Sequence, residues 1–291
     1  MKKGCPICGV SNLSLVFPAN IGPAPFKRSY KISGTDYGKH LDILRCLSCG
    51  IVFQEIGFSR KAIDHYYQSL DDPQYEEERI NRSLAFKRII KSLKKIRAAG
   101  KLLDVGCATG AFLVEARNYG YEVYGIEPSN WAVKIAREKY HLKVKKGFLK
   151  NVKFPKESLQ LVTLIDVLEH LVDPISSLRK VCSLLEQDGV ICIVMPNINS
   201  LAARILGERW WHIRPGHFFY FSPKTIKFLL EMTGFEIIIS RRYKWYLSAS
   251  YFFQRLLKLL SIPCKIKFKG LEKITLGIDL GDSMEVYAVK K

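Results

Sequence analysis

The chain has 291 residues, of which 48% are apolar and 25% charged, and it carries a net charge of +19. That length suits one core with an appendage, and that composition excludes wholesale disorder. The charge favours an anionic partner (nucleic acid, a membrane surface or a phosphorylated substrate) without choosing among them.

The N-terminal MKKGCPICGV holds two lysines but no apolar core of signal-peptide length, so no secretion signal is expected. No stretch reaches the ~18 uninterrupted apolar residues of a membrane span. The richest, 245–262, is broken by Gln254, Arg255 and Lys258. The expected compartment is the cytoplasm, where the eight cysteines stay reduced.

Four cysteines fall into two pairs, CPICG (Cys5, Cys8) and CLSCG (Cys46, Cys49), with 37 residues between them. The two-residue gap lets both thiolates of a pair reach one ion, and the trailing glycine lets the turn tighten around the sulfur. Four thiolates fill a tetrahedral shell. Residues 1–57 therefore read as a zinc ribbon with a structural ion, against the alternative of unpaired cytosolic thiols. The scattered Cys107, Cys182, Cys192 and Cys264 receive no metal or nucleophile role.

Two helices follow in a connector, 58–100, over 58–68 and 75–99. In the second, Phe86, Ile89, Ile90, Leu93 and Ile96 recur at three- and four-residue spacing. Arg88, Lys91, Lys94 and Lys95 fall elsewhere, which predicts a buried stripe beside a solvated basic face.

From Lys101 strands and helices alternate. Strands are expected over 101–105, 121–127, 142–146, 159–166 and 189–196, and helices over 111–119, 130–140 and 174–186. Nearly continuous apolar strands in such an alternation mean a parallel sheet covered on both faces. An aromatic segment, a helix over 223–233 and strands over 234–242 and 283–291 complete the chain. The expected class is α/β, with helices on both faces of a Rossmann-like sheet.

The stretch KLLDVGCATGAF is a strand, a glycine loop and a helix start, which presents backbone N–H groups to a ligand at the carboxyl edge of the sheet. A dinucleotide site prefers GxGxxG. Here the loop is GxxxG, Gly106 and Gly110, with Asp104 before it. A carboxylate there suits a cationic amino-acid moiety better than pyrophosphate, and Glu127, at the end of the second strand, can accept both hydroxyls of a ribose. A nucleoside joined to a cationic amino acid describes S-adenosylmethionine.

DVGCATG, the acidic residue of GIEPS, and DVLEHLVDP resemble the motifs of class I S-adenosylmethionine-dependent methyltransferases. The two CxxCG knuckles and RPGHFFYFSPKTIKFLLEMTGF resemble a bacterial zinc-ribbon-bearing subgroup that includes sugar C-methyltransferases. The resemblance covers nearly the whole chain and implies a seven-stranded Rossmann-like methyltransferase sheet over 101–291, with acceptor-side insertions near 196–222 and 243–272. It implies that Asp104, Gly106, Cys107 and Gly110 line the methionine end of the cofactor. Glu127 would then hold the ribose, Pro128, Phe148 and Leu149 would lie by the adenine, and Asp166 would end the fourth strand against the cofactor. The family often has Asp where Phe148 stands.

Methyl transfer needs a nucleophile aligned opposite the leaving sulfur and, for a weakly acidic acceptor, removal of its proton. His170 and His217 are the candidate bases, His170 with the alternative of bracing its loop. His217 lies in an aromatic segment with the candidate acceptor contacts Trp211 and Tyr220, with the alternative of a buried histidine in an aromatic lid core. The sugar C-methyltransferases have this histidine with a tyrosine three residues and a glutamate one residue before it, where Arg214 and Gly216 stand here. O-methylation of an anionic small-molecule or glycan acceptor (a sugar nucleotide, polysaccharide or lipid-linked group), with Arg214 on its phosphate or carboxylate, fits better than C-methylation. The alternatives are an RNA methyltransferase, whose Asn/Asp-Pro-Pro-aromatic sequence is lacking, and a scaffold without catalysis.

Between residues 241 and 273 nine basic residues stand against one acid, Glu272. Lys244, Ser248, Tyr251, Arg255 and Lys258 are spaced as one polar stripe on a helix. Such a helix covers the core or, through 244–260, meets anionic lipid at the inner membrane face.

Overall fold

The computed structural model describes residues 4–22, 37–57, 59–259 and 270–291. Cys264, the expected helix start at residue 58, and the Lys258 side chain lie outside what is described.

Strands β1 (Leu13–Phe17), β2 (Ile43–Cys46) and β3 (Val52–Gln54) form an antiparallel ribbon. Helices α1 (Arg60–Gln68), α2 (Pro73–Glu77) and α3 (Arg79–Ile96) follow. The single helix expected over 75–99 is thus broken at Glu78. Asp72 caps α2 by accepting from the Tyr75 N–H at 3.2 Å. The turn frees the Glu78 carboxylate to take the Ser248 N–H and hydroxyl at 2.9 and 2.6 Å. The predicted stripe of α3 is buried: Phe86, Ile89, Ile90 and Leu93 all face the core.

The main body runs β4 (Lys101–Val105), α4 (Ala111–Asn118), β5 (Glu122–Glu127), α5 (Asn130–Glu138), β6 (Val144–Lys146), β7 (Leu159–Ile165), α6 (Pro174–Leu184) and β8 (Leu185–Pro196). Then come α7 (Leu201–Leu206), β9 (Phe219–Tyr220), α8 (Pro223–Glu231), β10 (Phe235–Arg242), β11 (Trp245–Ser248), α9 (Ala249–Leu259), β12 (Thr275–Ile278) and β13 (Ser283–Lys290). The sheet order is β10-β13-β8-β7-β4-β5-β6. Strands β4 to β8 are parallel, and β13 runs antiparallel to both neighbours. Leu102, Leu103, Leu161 and Val162 are fully buried, as strands covered on both faces require. The order reverses between β4 and β7, and a ligand crevice opens outside the carboxyl ends of the strands at such a point.

The N-terminal ribbon packs onto the main body: β9 adds to β3, pairing Val52 with Tyr220 and Phe53 with Phe219, and Cys5, Ile7 and Phe53 share a core with Phe218 and the main sheet. The polar stripe is not one helix. Trp245 and Ser248 lie on β11, which pairs with β12, and the helix begins at Ala249. Ser248 and Tyr251 are buried, and Arg255 turns to a cavity, so this middle part of the stripe faces inward.

Candidate active site

The GxxxG loop is fastened to the end of β5. Gly106 and Cys107 both donate to the Ile126 carbonyl, and Glu127 accepts from the Ala108 and Ser129 N–H groups at 2.9 and 2.8 Å. The backbone is left-handed at Gly106 (φ 72°) and Gly110 (φ 85°). A Cβ on Gly110 would come within 2.2 Å of Leu142 Cδ1, and one on Gly106 within 2.6 Å of Val167 Cγ2. Both glycines are therefore required by conformation and by space.

Asp104, on β4, accepts the Thr163 hydroxyl of β7 at 2.6 Å across the reversal point. Burial pushes the carboxyls of Asp104 and Glu127 up to about 7 each. Two buried carboxylates at one strand edge suit a ligand with a cationic end and paired hydroxyls, so the donor set fits S-adenosylmethionine. Cys107 is buried beside the loop, Pro128 and Phe148 are half-buried, and Leu149 packs into the main core. Asp166 follows β7 with a left-handed backbone (φ 55°), and burial raises its carboxyl to about 6 against the opposing pull of Arg82 and Arg214.

Asp166 also lines a cavity of about 330 Å³. Its lining combines apolar and aromatic residues, among them Trp245, Leu247, Phe252 and Ile278, with Arg82, Arg214, Arg255, Glu169 and three histidines. Arg255 donates to the Tyr37 hydroxyl at 2.5 Å and to the Tyr251 hydroxyl. Burial and the neighbouring Arg255 hold the Arg214 pKa below its usual value.

The structure brings His170 and His217 together, with ring centroids 4.5 Å apart. His170 Nδ1 contacts the Gly216 carbonyl at 2.7 Å and the Tyr67 hydroxyl at 3.0 Å, and burial drops its pKa to about 4. These contacts fasten its loop to the 214–217 segment, and His170 also lines the cavity. Burial and the neighbouring His170 push His217 well below the usual histidine range. His217 Nδ1 and Glu169 Oε2 are buried without a hydrogen-bond partner among the described residues. The ligand atoms of Glu169, His170 and His217 lie within 4.8 Å of one another.

Trp211 sits on the cavity wall and donates from Nε1 to Asp282 at 2.8 Å. Tyr220 does not reach the cavity. It is 1% exposed and packs with Trp210, Ile43 and Val52, because its strand continues the ribbon sheet. Sequence reasoning missed His212, which meets Asp282 at 3.2 Å and stacks on His217, and it missed Arg82 and Asp282 themselves. His212 stands five residues before His217 in the same aromatic run, which was the available signal. Asp282, 70 residues away, gave none.

The two knuckles converge. Cys5 and Cys49 sulfurs are 3.6 Å apart and those of Cys8 and Cys46 3.5 Å, while Gly9 and Gly50 close the turns on the Cys5 and Cys46 carbonyls. Sulfurs at ~2.3 Å from one tetrahedral ion stand roughly 3.8 Å apart, so the set fits zinc without rearrangement. The ribbon also holds the histidine loop: Gln54 donates its side-chain amide to the Pro215 carbonyl at 3.0 Å and its N–H to Phe218 at 2.8 Å.

A family model described as a methyltransferase domain matches residues 75–239, more than half of the chain. Curated proteins named ubiquinone biosynthesis O-methyltransferase are similar. That of Rhodopseudomonas palustris is 28% identical over 131 residues, covering 43% of this chain and 51% of the relative. That of Bradyrhizobium diazoefficiens is 27% identical over 158 residues, covering 50% and 62%. The chain thus spans about half to two thirds of the length of these relatives. In fold, it is similar to magnesium protoporphyrin IX methyltransferase from Synechocystis with bound SAH (TM-score 0.54, 15% identity, 80% of this chain and 100% of that one). A Thermotoga maritima methyltransferase is likewise similar (TM-score 0.51, 19% identity, 75% and 96%).

Proposed function

Because the chain belongs to the methyltransferase-domain family, we propose that it transfers a methyl group from S-adenosylmethionine to a hydroxyl of a small molecule held in the 330 Å³ cavity. The observation that carries this reading is the position of Asp166, which ends β7 at the reversal point and forms part of the cavity wall. One strand end thereby joins the cofactor crevice to the acceptor chamber.

Bound there, the cofactor supplies a methyl group already activated by a sulfonium. The chain does the rest. Glu127 holds the nucleoside end, with Gly106 and Gly110 admitting a close approach of the loop backbone. The acceptor loses one proton for each methyl gained, and the Glu169–His170–His217 cluster, with His217 foremost, is where that hydroxyl is activated. The aromatic wall excludes water and orients the acceptor body, which lets alignment contribute to the rate.

The lining shifts the acceptor from the expected glycan toward a molecule with an aromatic or otherwise apolar body and a polar or anionic end near Arg214. The name of the curated relatives, O-methyltransferase, supports oxygen as the methylated atom. The four cysteines are read as a structural zinc site whose ribbon holds the His217 loop through Gln54. Incubation with methyl-labelled cofactor and a panel of phenolic, catecholic and sugar acceptors tests the proposal. Labelling of phenols or catechols is expected. Labelling of sugars alone would overturn the acceptor class.

A further inference from the structure

The histidine cluster has the composition and placement of a metal site. Glu169 and His170 sit on the turn after β7, and His217 precedes β9. Two reciprocal bonds lock the segments: His170 Nδ1 to the Gly216 carbonyl at 2.7 Å, and the Phe218 N–H to the Glu169 carbonyl at 2.8 Å. With Nδ1 engaged, His170 keeps Nε2 for a ligand. This is how metal-bound imidazoles are oriented, one nitrogen on a backbone carbonyl and the other on the ion.

One atom of each remaining side chain lacks a hydrogen-bond partner among the described residues. His217 Nδ1 and a Glu169 carboxylate oxygen are buried and have no partner among the described residues, at residues 4% and 1% exposed. An unpaired polar atom in such a place costs about 1–3 kcal/mol, so two side by side point to a missing partner. A cation would accept a lone pair from each.

We propose that Glu169, His170 and His217 hold one divalent first-row cation, distinct from the ion of the four cysteines, with open positions facing the acceptor cavity. Imidazole and carboxylate ligands suit manganese, iron, cobalt or zinc, and three protein ligands leave room for an acceptor oxygen. Three ligands at ~2.1 Å from a common ion stand roughly 3–3.5 Å apart, and the ligand atoms already lie within 4.8 Å of one another, so side-chain adjustments on the order of an ångström close the site. The cation would hold the acceptor hydroxyl beside Asp166 and lower its pKa. This consequence rests on the methyl-transfer reading. The binding itself does not.

The test uses the full chain with its cysteine-bound metal intact and Mn2+ as the probe. Titration followed by electron paramagnetic resonance is expected to show one Mn2+ per chain, with spin-echo modulation from imidazole nitrogen. Affinity should fall at least tenfold in Glu169→Gln and in His217→Ala. If a variant fails to fold, the nitrogen modulation in the unaltered protein decides alone. Absence of bound Mn2+, bound Mn2+ without nitrogen modulation, or unchanged affinity in folded variants would overturn the proposal. Cofactor titration in parallel separates the two readings, since loss of Mn2+ binding with normal cofactor binding sinks the cation site alone.

Discussion

The imidazoles of His170 and His217 meet edge to face, their planes at 86° and their centroids 4.5 Å apart. The residues are far apart in sequence and belong to two loops that the His170–Gly216 contact fastens together. A cavity wall so built has little freedom to reorient, as a group acting on an acceptor oxygen requires.

His217→Ala should lower kcat by about 10²–10⁴-fold, the usual contribution of a positioned proton-transfer or activating group. Cofactor affinity should stay within a factor of about two, because His217 lies on the acceptor side. A variant with near-normal kcat would remove His217 from the chemistry.

The four-cysteine ribbon should matter to turnover and little to cofactor binding. Cys46→Ser opens the thiolate tetrahedron and loosens β3, whose Gln54 holds Pro215 and Phe218. Elemental analysis of dialysed protein should find one tightly held zinc in the parent and less than half in the variant, with turnover reduced more than cofactor affinity. A parent without zinc, or a variant with full turnover, would contradict this.

The pH dependence of stability isolates Glu127. Its folded pKa, about 7, lies above the unfolded value near 4. Between these values the folded chain holds a proton that the unfolded chain has lost. The contribution to stability is therefore full below about pH 4 and lost as pH rises through 7. From pH 8 to 6 the parent should gain about 1 kcal/mol relative to Glu127→Gln. Urea unfolding of both at the two pH values gives the difference, and parallel shifts would show that Glu127 is ionised in the fold.

Gly110→Ala should destabilise the fold by more than 1 kcal/mol, since a Cβ would meet Leu142 at 2.2 Å in a left-handed backbone. A thermal midpoint unchanged within a degree would mean that the loop relaxes freely.

The local signals reached far. Strand β4, its glycine loop and Glu127 were legible because apolar runs, positive-φ glycines and a strand-end carboxylate are all encoded within about 25 residues. The CxxCG knuckles were legible by spacing. The His212–Asp282 contact and the burial of Tyr220 were not, since both depend on which distant strand lies alongside. The segment from Lys244 read as one helix because its spacing fits a helical period, yet pairing of Trp245 with Ile278 and the Glu78 clamp on Ser248 fix a strand first. Local periodicity loses to tertiary hydrogen bonding there.

The central claim is that Glu127 and the GxxxG loop form a cofactor site, and calorimetric titration of S-adenosylmethionine tests it most directly. The unaltered chain should bind one equivalent, and Glu127→Ala should lose ~1.5–3 kcal/mol of binding free energy, as expected for a hydrogen bond to a charged group. No binding by the unaltered chain, or equal affinity in the folded variant, would contradict the account.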